Sequence, residues 1–568
     1  MGRGAENYAH FCESAYVRSR NSMAGNNDEM ASTKHEGSAP LDSGLASPAG
    51  ASLLVLTQIF TKLATFSLNQ LLVQYVTPAV LGTASYWEFV VQTILFFSRE
   101  AERLAVQRAD SDVAANSAEN APHASNHADD AAIDASPSKL QKVVNFGHLP
   151  LLVGIPMTAL MLVWSLRTQN TPILVLVSIL VIMELMAEPM YALNQFQLGF
   201  AKRSRIESLA VIGRCLTTFV GVVFAARTKN DVHAAAAYVA GQLVYAAVVY
   251  IMYRNSSYKI RPISNSGLVW KRYFSPQLFS VWRGLFIQMI FKHLLTEGDR
   301  LLISWLCSAE EQGVYALVTN YGSILARVLF QPVEESLRLV LSKELSTPSS
   351  KTQTQMAAKN MGYILLMYFH LSVVMVLGGY SNGAYVLQFA LGRSKALIWK
   401  ETNVFQIFPQ YILYLPFLAF NGVIEAFFSS TASELQIQKF SWFMLGLTAF
   451  ILLLLYWLIQ VQNTGLLGLM VANSTNMALR IIYCTNYMQK FLKKKGIKTS
   501  IWQSISRIRI GIFLAIALGL SQYIATEKLQ VYGFPKLVLG CFTCLTYLAI
   551  IAASERSLVR HAIKFKRS

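Results

Sequence analysis

The feature that most constrains this chain is a succession of about fourteen apolar runs, each near the roughly 20 residues a helix needs to cross a bilayer. They lie at 52–75, 79–97, 147–166, 171–193, 207–226, 234–252, 279–306, 314–340, 360–379, 404–429, 440–460, 464–488, 508–525 and 535–554. Hydrocarbon offers no water to an unpaired backbone N–H or C=O, so such runs are expected to be helices that close their own hydrogen bonds. Composition agrees. The 568 residues are 54% hydrophobic and 14% charged, against about 25% charged in soluble domains. That deficit excludes a soluble enzyme, a disulfide-stapled secreted domain and a nucleic-acid binder. The predicted fold is all-α and membrane-integral.

The net charge of +18 is unevenly spread. Residues 1–50 net −2, and residues 109–138 carry six acids without a Lys or Arg, so the remainder carries +26. Both acidic segments are rich in Ala, Ser and Asn and cannot bury enough apolar surface to offset their ordering entropy. They are predicted to be disordered, as a terminal tail and an inserted loop. The basic residues gather on alternate loops, including 99–108, 202–205, 254–272, 343–359 and 490–498, and in the tail after 555. The bias is about three to one. By the positive-inside rule it puts both termini in the cytosol.

Spacing suggests two halves. A six-helix bundle over 51–252 is followed by a cytosolic linker, 253–277, and a second six-helix bundle over 278–488. A basic loop, 489–507, then leads to two extra helices and a basic tail, 508–568. Paired bundles around a midplane cavity are an architecture of secondary transporters, so this organisation is an analogy to them.

Ionised residues at membrane depth carry most of the functional information, because each costs about 2.5–3.5 kcal/mol near a bilayer centre on insertion scales. This chain has Glu88, Glu184, Glu188, Arg214, Arg283, Lys292, Glu297, Asp299, Arg300, Arg327, Glu425 and Arg480 in its apolar runs. Any one of them can be paired structurally or snorkel to an interface. As a set they predict a hydrated interior. Glu184 and Glu188 share a helix face, and Pro189 is expected to break that helix. Lys292 and Glu297 flank a Thr-Glu-Gly turn, which predicts unwinding near Gly298.

Other chemistry is not visible. There is no GxxxxGK[ST] and no HExxH, so neither a P-loop nor a zincin site is expected, and no metal or cofactor is called for. His123 and His127 lie in an Ala/Asp/Asn tract and read as solvated loop residues. Cys541 and Cys544 form a CxxC inside an apolar run rather than in a thioredoxin-like βαβ context. The sequons Asn255-Ser256-Ser257 and Asn473-Ser474-Thr475 fall in a predicted cytosolic loop and within a span, so both are expected to stay unmodified.

Six ordered segments carry a family resemblance: LNQLLVQYVTPAVLG at 68–82, REAERLA at 99–105, MELMAEPMYALNQ at 183–195, LLTEGDRLLIS with EEQGVYALVTNYGSILARVLFQPVEESLRL across 294–339, AFNGVIEAFFSS at 419–430 and GLMVANSTNMALRIIY at 468–483. Over about 68–488 the chain resembles the Rft family of endoplasmic-reticulum membrane proteins. Gln74 stands where some relatives are expected to have Arg, and Glu102 where an aromatic residue is expected. The resemblance implies the fold of the multidrug/oligosaccharidyl-lipid/polysaccharide exporter superfamily, with fourteen helices. It also implies a non-enzymatic role in moving a dolichyl-diphosphate oligosaccharide from the cytosolic to the lumenal leaflet for N-glycosylation.

A diphosphate calls for arginines, which give bidentate contacts to phosphate oxygens. Candidates for substrate binding are Arg99, Arg103, Arg300 and Arg480, with Asn69, Asn421 and Asn473 for the sugars. Candidates for gating or ion pairing are Glu100, Glu184, Glu188, Glu297 and Glu425. The bland alternatives are a cytosolic basic cap for Arg99 and Arg103 and an interfacial ion pair for Arg300 with Glu297. Two other functions stay open at this point. One is a non-transporting accessory factor that binds membrane enzymes of the glycosylation pathway. The other is a cation-coupled antiporter using Glu184 or Glu425.

Overall fold

A computed structural model describes residues 67–68, 70–119, 137–165, 171–197, 200–228, 230–254, 259–263, 269–345, 351–497, 501–528, 530 and 533–554. The sequence-predicted tail 1–50 and most of the first apolar run lie outside these residues. The described chain begins in the end of a helix that stops at Val73. In the first half follow α1 (Pro78–Glu119), α2 (Pro137–Phe146), α3 (Leu149–Ser165), α4 (Thr171–Met186), α5 (Glu188–Phe196), α6 (Phe200–Thr228) and α7 (Asp231–Tyr253). A short α8 (Val269–Tyr273) leads to α9 (Pro276–Leu306), α10 (Ala309–Gly322), α11 (Gln331–Leu345), α12 (Lys351–Val374), α13 (Ser381–Leu391), α14 (Arg393–Lys400), α15 (Val404–Thr431), α16 (Glu434–Tyr456) and α17 (Leu466–Lys494). The last two helices are α18 (Ile501–Glu527) and α19 (Phe534–Ser554).

Eleven helical stretches among the described residues are long and apolar enough to cross a membrane. Two more helices, α9 with 31 residues and α17 with 29, are long enough but carry several charges each. Large apolar side chains such as Leu160, Phe224, Leu453 and Phe513 face outward, as the hydrocarbon of a bilayer requires. The chain is thus a multi-pass, all-helical membrane protein. Helix α1 runs on to Glu119, into the acidic segment that starts at 109, and residues 120–136 lie outside the description.

Local chemistry explains where the helices stop. Pro189 at the start of α5 removes a backbone donor, and the chain turns at Ala187 between α4 and α5. Asn230 caps α7 by accepting from the Val232 and His233 amides. Ser308 and Glu311 form a capping box at the start of α10. The expectation of unwinding at Gly298 is overturned, because α9 is continuous from Pro276 to Leu306. A single glycine in a helix costs only about 0.5–1 kcal/mol, and here Gly298 is buried against Leu294 and Leu452.

Helices α1 and α3–α7 pack into one half and α9–α17 into the other, with α1 running along α9 and α10 at the seam. Near Pro78 the seam closes tightly. A Cβ at Gly82 would overlap the Ala309 carbonyl, and one at Gly313 would overlap the Pro78 carbonyl. Toward the other end His293 of α9 sits between Phe96 and Phe97 of α1 and lies 3.1 Å from the Thr93 hydroxyl. The last two helices dock on α12, α13 and the π turn Met375–Tyr380. They do so through the Tyr547 hydroxyl and His370 Nδ1 at 2.8 Å and the Ser381 hydroxyl donating to Gln522 at 3.1 Å. Such polar contacts replace the hydrophobic drive that lipid removes between helices.

Gly82→Ala should force α1 and α10 apart and lower stability by about 1–3 kcal/mol, as overpacking does. Gly284→Ala, with nothing within 4 Å of its Cβ, should not. Thermal unfolding of the full-length protein in detergent separates the two outcomes.

Candidate functional site: a polar cavity at the seam

Between the two halves lies a cavity of about 350 Å³. From the first half it is lined by Glu88 and Gln92 of α1, Arg214 and Thr218 of α6, and Tyr238 and Gln242 of α7. The second half contributes Arg300 of α9, Tyr315 and Asn320 of α10, and Arg327. Glu88 lies ten residues into α1, about 15 Å from its start at a rise of about 1.5 Å per residue. That is about half the roughly 30 Å hydrocarbon thickness, a depth at which charges are costly unless water or a ligand meets them.

The arginines are held by local or longer contacts than those of the enclosed pairs described below. Arg214 Nη1 stands 3.9 Å from Glu88 Oε1 and donates to Gln242 Oε1 at 3.1 Å. Arg300 lies 3.2 Å from Glu297, one turn earlier on the same helix. Asp299 beside it accepts from the Arg300 amide at 2.8 Å and from the Tyr315 hydroxyl at 3.1 Å. Arg327 donates to the Asn320 carbonyl at 2.8 Å. It belongs to a π turn, Ala326–Phe330, which interrupts the α10–α11 helix. Such π turns are frequent at functional sites. Gln70, just before α1, donates to the Tyr321 hydroxyl at 2.6 Å across the seam. Three guanidiniums around a polar cavity make a site for an anion with several oxygens.

A second polar cluster lies midway along α1, three to four turns beyond Glu88. Arg99 Nη1 is 2.7 Å from Glu184 and 3.4 Å from Glu188. Arg103 holds Glu188 in a bidentate grip, at 2.6 Å and 3.0 Å. Its guanidinium also lies 3.9 Å above the Tyr191 ring, with Arg203 near the same ring. The carboxylates here are almost wholly enclosed, Glu184 at 5% and Glu188 at 2% exposure. A third cluster joins α15 to α17, where Arg480 binds Glu425 and Asn421 donates to Glu425 at 3.1 Å.

The structure therefore distributes the sequence candidates over three places. Arg300 alone among the candidate arginines lines the cavity, with Glu297 beside it. Arg99, Arg103, Glu184 and Glu188 form the second cluster, and Arg480, Glu425 and Asn421 the third. Asn473 is half-buried on α17, two helical turns before Arg480, and Glu100 is half-buried on α1. Asn69 lies outside the described residues. Arg214, Arg327, Glu88, Gln92 and Gln242 were not among the candidates for substrate, although the first three were visible as charges at depth. A readable signal existed. Ser85, Glu88 and Gln92 share one face of α1, and Asn320, Ser323 and Arg327 recur at near-helical spacing.

Comparison with known proteins fits this architecture. The family model described as "Rft protein" matches residues 46–565. The chain belongs to the Rft family. One relative, the "Man(5)GlcNAc(2)-PP-dolichol translocation protein RFT1" of Candida albicans, is 35% identical, the match covering 93% of this chain and 96% of the relative. The protein of that name from Saccharomyces cerevisiae is 31% identical, over 91% and 95%. Among solved structures, "Lipid II flippase MurJ, inward closed conformation" superposes with a TM-score of 0.55 at 12% identity, covering 88% of this chain and 99% of that one. At that identity the likeness establishes the shared fold.

Arg103→Ala should destabilise this Rft protein, because it leaves Glu188 enclosed without its bidentate partner. Breaking a buried pair costs about 3–5 kcal/mol. The lower end is expected here, since Arg99 stays within 3.4 Å of Glu188. Denaturation of the full chain in detergent, compared with Glu188→Gln and the double variant, measures the pair.

Proposed function

We propose that this chain helps translocate a dolichyl-diphosphate oligosaccharide across the endoplasmic-reticulum membrane, from the cytosolic to the lumenal leaflet, and that it is not an enzyme. The observation that carries the proposal is the seam cavity with Arg214, Arg300 and Arg327. The full-length relatives are named for Man(5)GlcNAc(2)-PP-dolichol translocation, and a diphosphate is the chemistry those arginines suit. In this reading the diphosphate enters the cavity, displaces the loosely held Glu88 from Arg214, and meets Gln92, Gln242 and Asn320 with its first sugars. The isoprenoid tail stays in lipid beside the seam. The chain spans the membrane fourteen times with cytosolic termini, in two six-helix halves and two C-terminal helices. Arg99, Arg103 and Arg480 hold the halves in shape by pairing with carboxylates instead of binding substrate.

The cavity volume favours a second reading. About 350 Å³ is at the low end for drug-sized ligands, about 300–1,000 Å³. It takes a diphosphate and the first sugars, not a seven-sugar head. A protein that presents the lipid-linked sugar to other membrane enzymes without moving it would need no more.

Reconstituted vesicles distinguish the two. Full-length protein should accelerate translocation of the lipid-linked oligosaccharide, and the Arg214→Ala variant should lose it. No acceleration by folded protein that still binds the lipid would support presentation instead. Binding itself should weaken about tenfold or more in Arg214→Ala, since a hydrogen bond to a charged group is worth about 1.5–3 kcal/mol. A lipid diphosphate carrying only two GlcNAc residues should compete as well as the full head group. Peptide mapping should find Asn255 unglycosylated, and a glycan there would overturn the proposed topology.

A further inference from the structure

Glu102 of α1 is wholly buried. Among the described residues neither of its carboxylate oxygens has a hydrogen-bond partner. It lies beside the second cluster, one turn past Arg99, yet both arginines there are taken. Arg99 is on Glu184 and Glu188, and Arg103 on Glu188. Ser98, one turn back on the same helix, donates its hydroxyl to the Ile94 carbonyl. Three carboxylates thus share two guanidiniums, and the third is left without one. An ionised carboxylate without water, counter-ion or hydrogen bond is what protein interiors avoid, and a carboxyl group has a simple remedy in taking up a proton.

No other cation reaches Glu102 among the described residues: Lys142 of α2 and Arg283, Lys292 and Arg300 of α9 lie on helices packed against α1, but none pairs with its carboxylate. The remaining titratable groups on those helices are carboxylates, tyrosines and histidines, among them Glu184 of α4, Tyr245 of α7, His293 of α9 and Glu310 of α10, while α3 has no titratable side chain. The charges acting on Glu102 are Glu188, which repels a second anion, and Arg103, which Glu188 already holds. No set of three or more His, Cys, Asp or Glu side chains suited to a metal ion occurs among the described residues.

We propose that Glu102 is a proton-binding site: its carboxyl group carries a proton in this arrangement and supplies the positive charge that the two arginines cannot. The proton is released to water when the cluster opens enough to give Glu102 water or a free guanidinium. Rearrangement of α1 against α4 and α5 is therefore proton-linked. Acid favours the arrangement described here and alkali favours the opened one.

Infrared spectroscopy of the full-length protein in lipid nanodiscs tests this at neutral pH. The wild-type minus Glu102→Gln difference spectrum should contain a protonated-carboxyl C=O band that shifts in heavy water. Loss of ionised-carboxylate bands instead, or no carboxyl difference, would overturn the proposal. Glu102→Leu should give the same carboxyl band and guards against an artefact of the amide. As a second readout, raising the pH from mildly acidic to alkaline should lower the thermal midpoint of the wild type more than that of Glu102→Gln. Equal pH dependence in the two proteins would contradict the proton linkage.

Discussion

A charge held at membrane depth must find a countercharge, water or a ligand, and the arrangement of this molecule follows from how each one does so. The second and third clusters use countercharges. Arg103 grips Glu188 with two hydrogen bonds, and Arg480 binds Glu425. Each pair joins two helices of the same half, so the cost of burying the charges is offset only when those helices are correctly seated. The seam cavity uses the other solution. Arg214, Arg300 and Arg327 face a shared polar space with partners that are loose, local or backbone carbonyls.

In the proposed function this contrast gives the two kinds of arginine different roles. A guanidinium closed on an enclosed carboxylate is a fastener, because an incoming anion would have to leave that carboxylate without a partner. A guanidinium 3.9 Å from its carboxylate and bordering a cavity can exchange partners at much lower cost. The seam is also the weaker join in polar terms. It is crossed by the Gln70–Tyr321 and Thr93–His293 contacts and by the close approach at Gly82 and Gly313. The apolar cores, by contrast, run across it: Val73 belongs to the large cluster of the second half, and Ala101 and Ala105 of α1 pack with Leu285 and Met289 of α9.

Much of this was legible in the sequence. Apolar run length marks the helices because the bilayer thickness is fixed, and Pro189 marks the break between α4 and α5 because proline lacks a donor. The Glu297–Arg300 pair is local, so helical spacing reveals it. Other features depend on contacts that spacing does not encode. Arg99 meets Glu184 from 85 positions away and Arg480 meets Glu425 from 55. Which arginines pair with carboxylates and which line the cavity was therefore hidden. The π turn that contains Arg327 has no sequence signature of its own. Gly298 misled in the opposite direction. Glycine permits unwinding, but the buried surroundings of α9 favour continuity.

The central claim is that the seam cavity, and not the arginine cluster midway along α1, receives the diphosphate. An electron cryomicroscopy map of the full-length protein with a bound lipid-linked oligosaccharide tests it most directly. The account predicts paired phosphate density among Arg214, Arg300 and Arg327, with Arg99 and Arg103 still on Glu184 and Glu188. Phosphate density at Arg99 and Arg103, with the seam cavity empty, would contradict it.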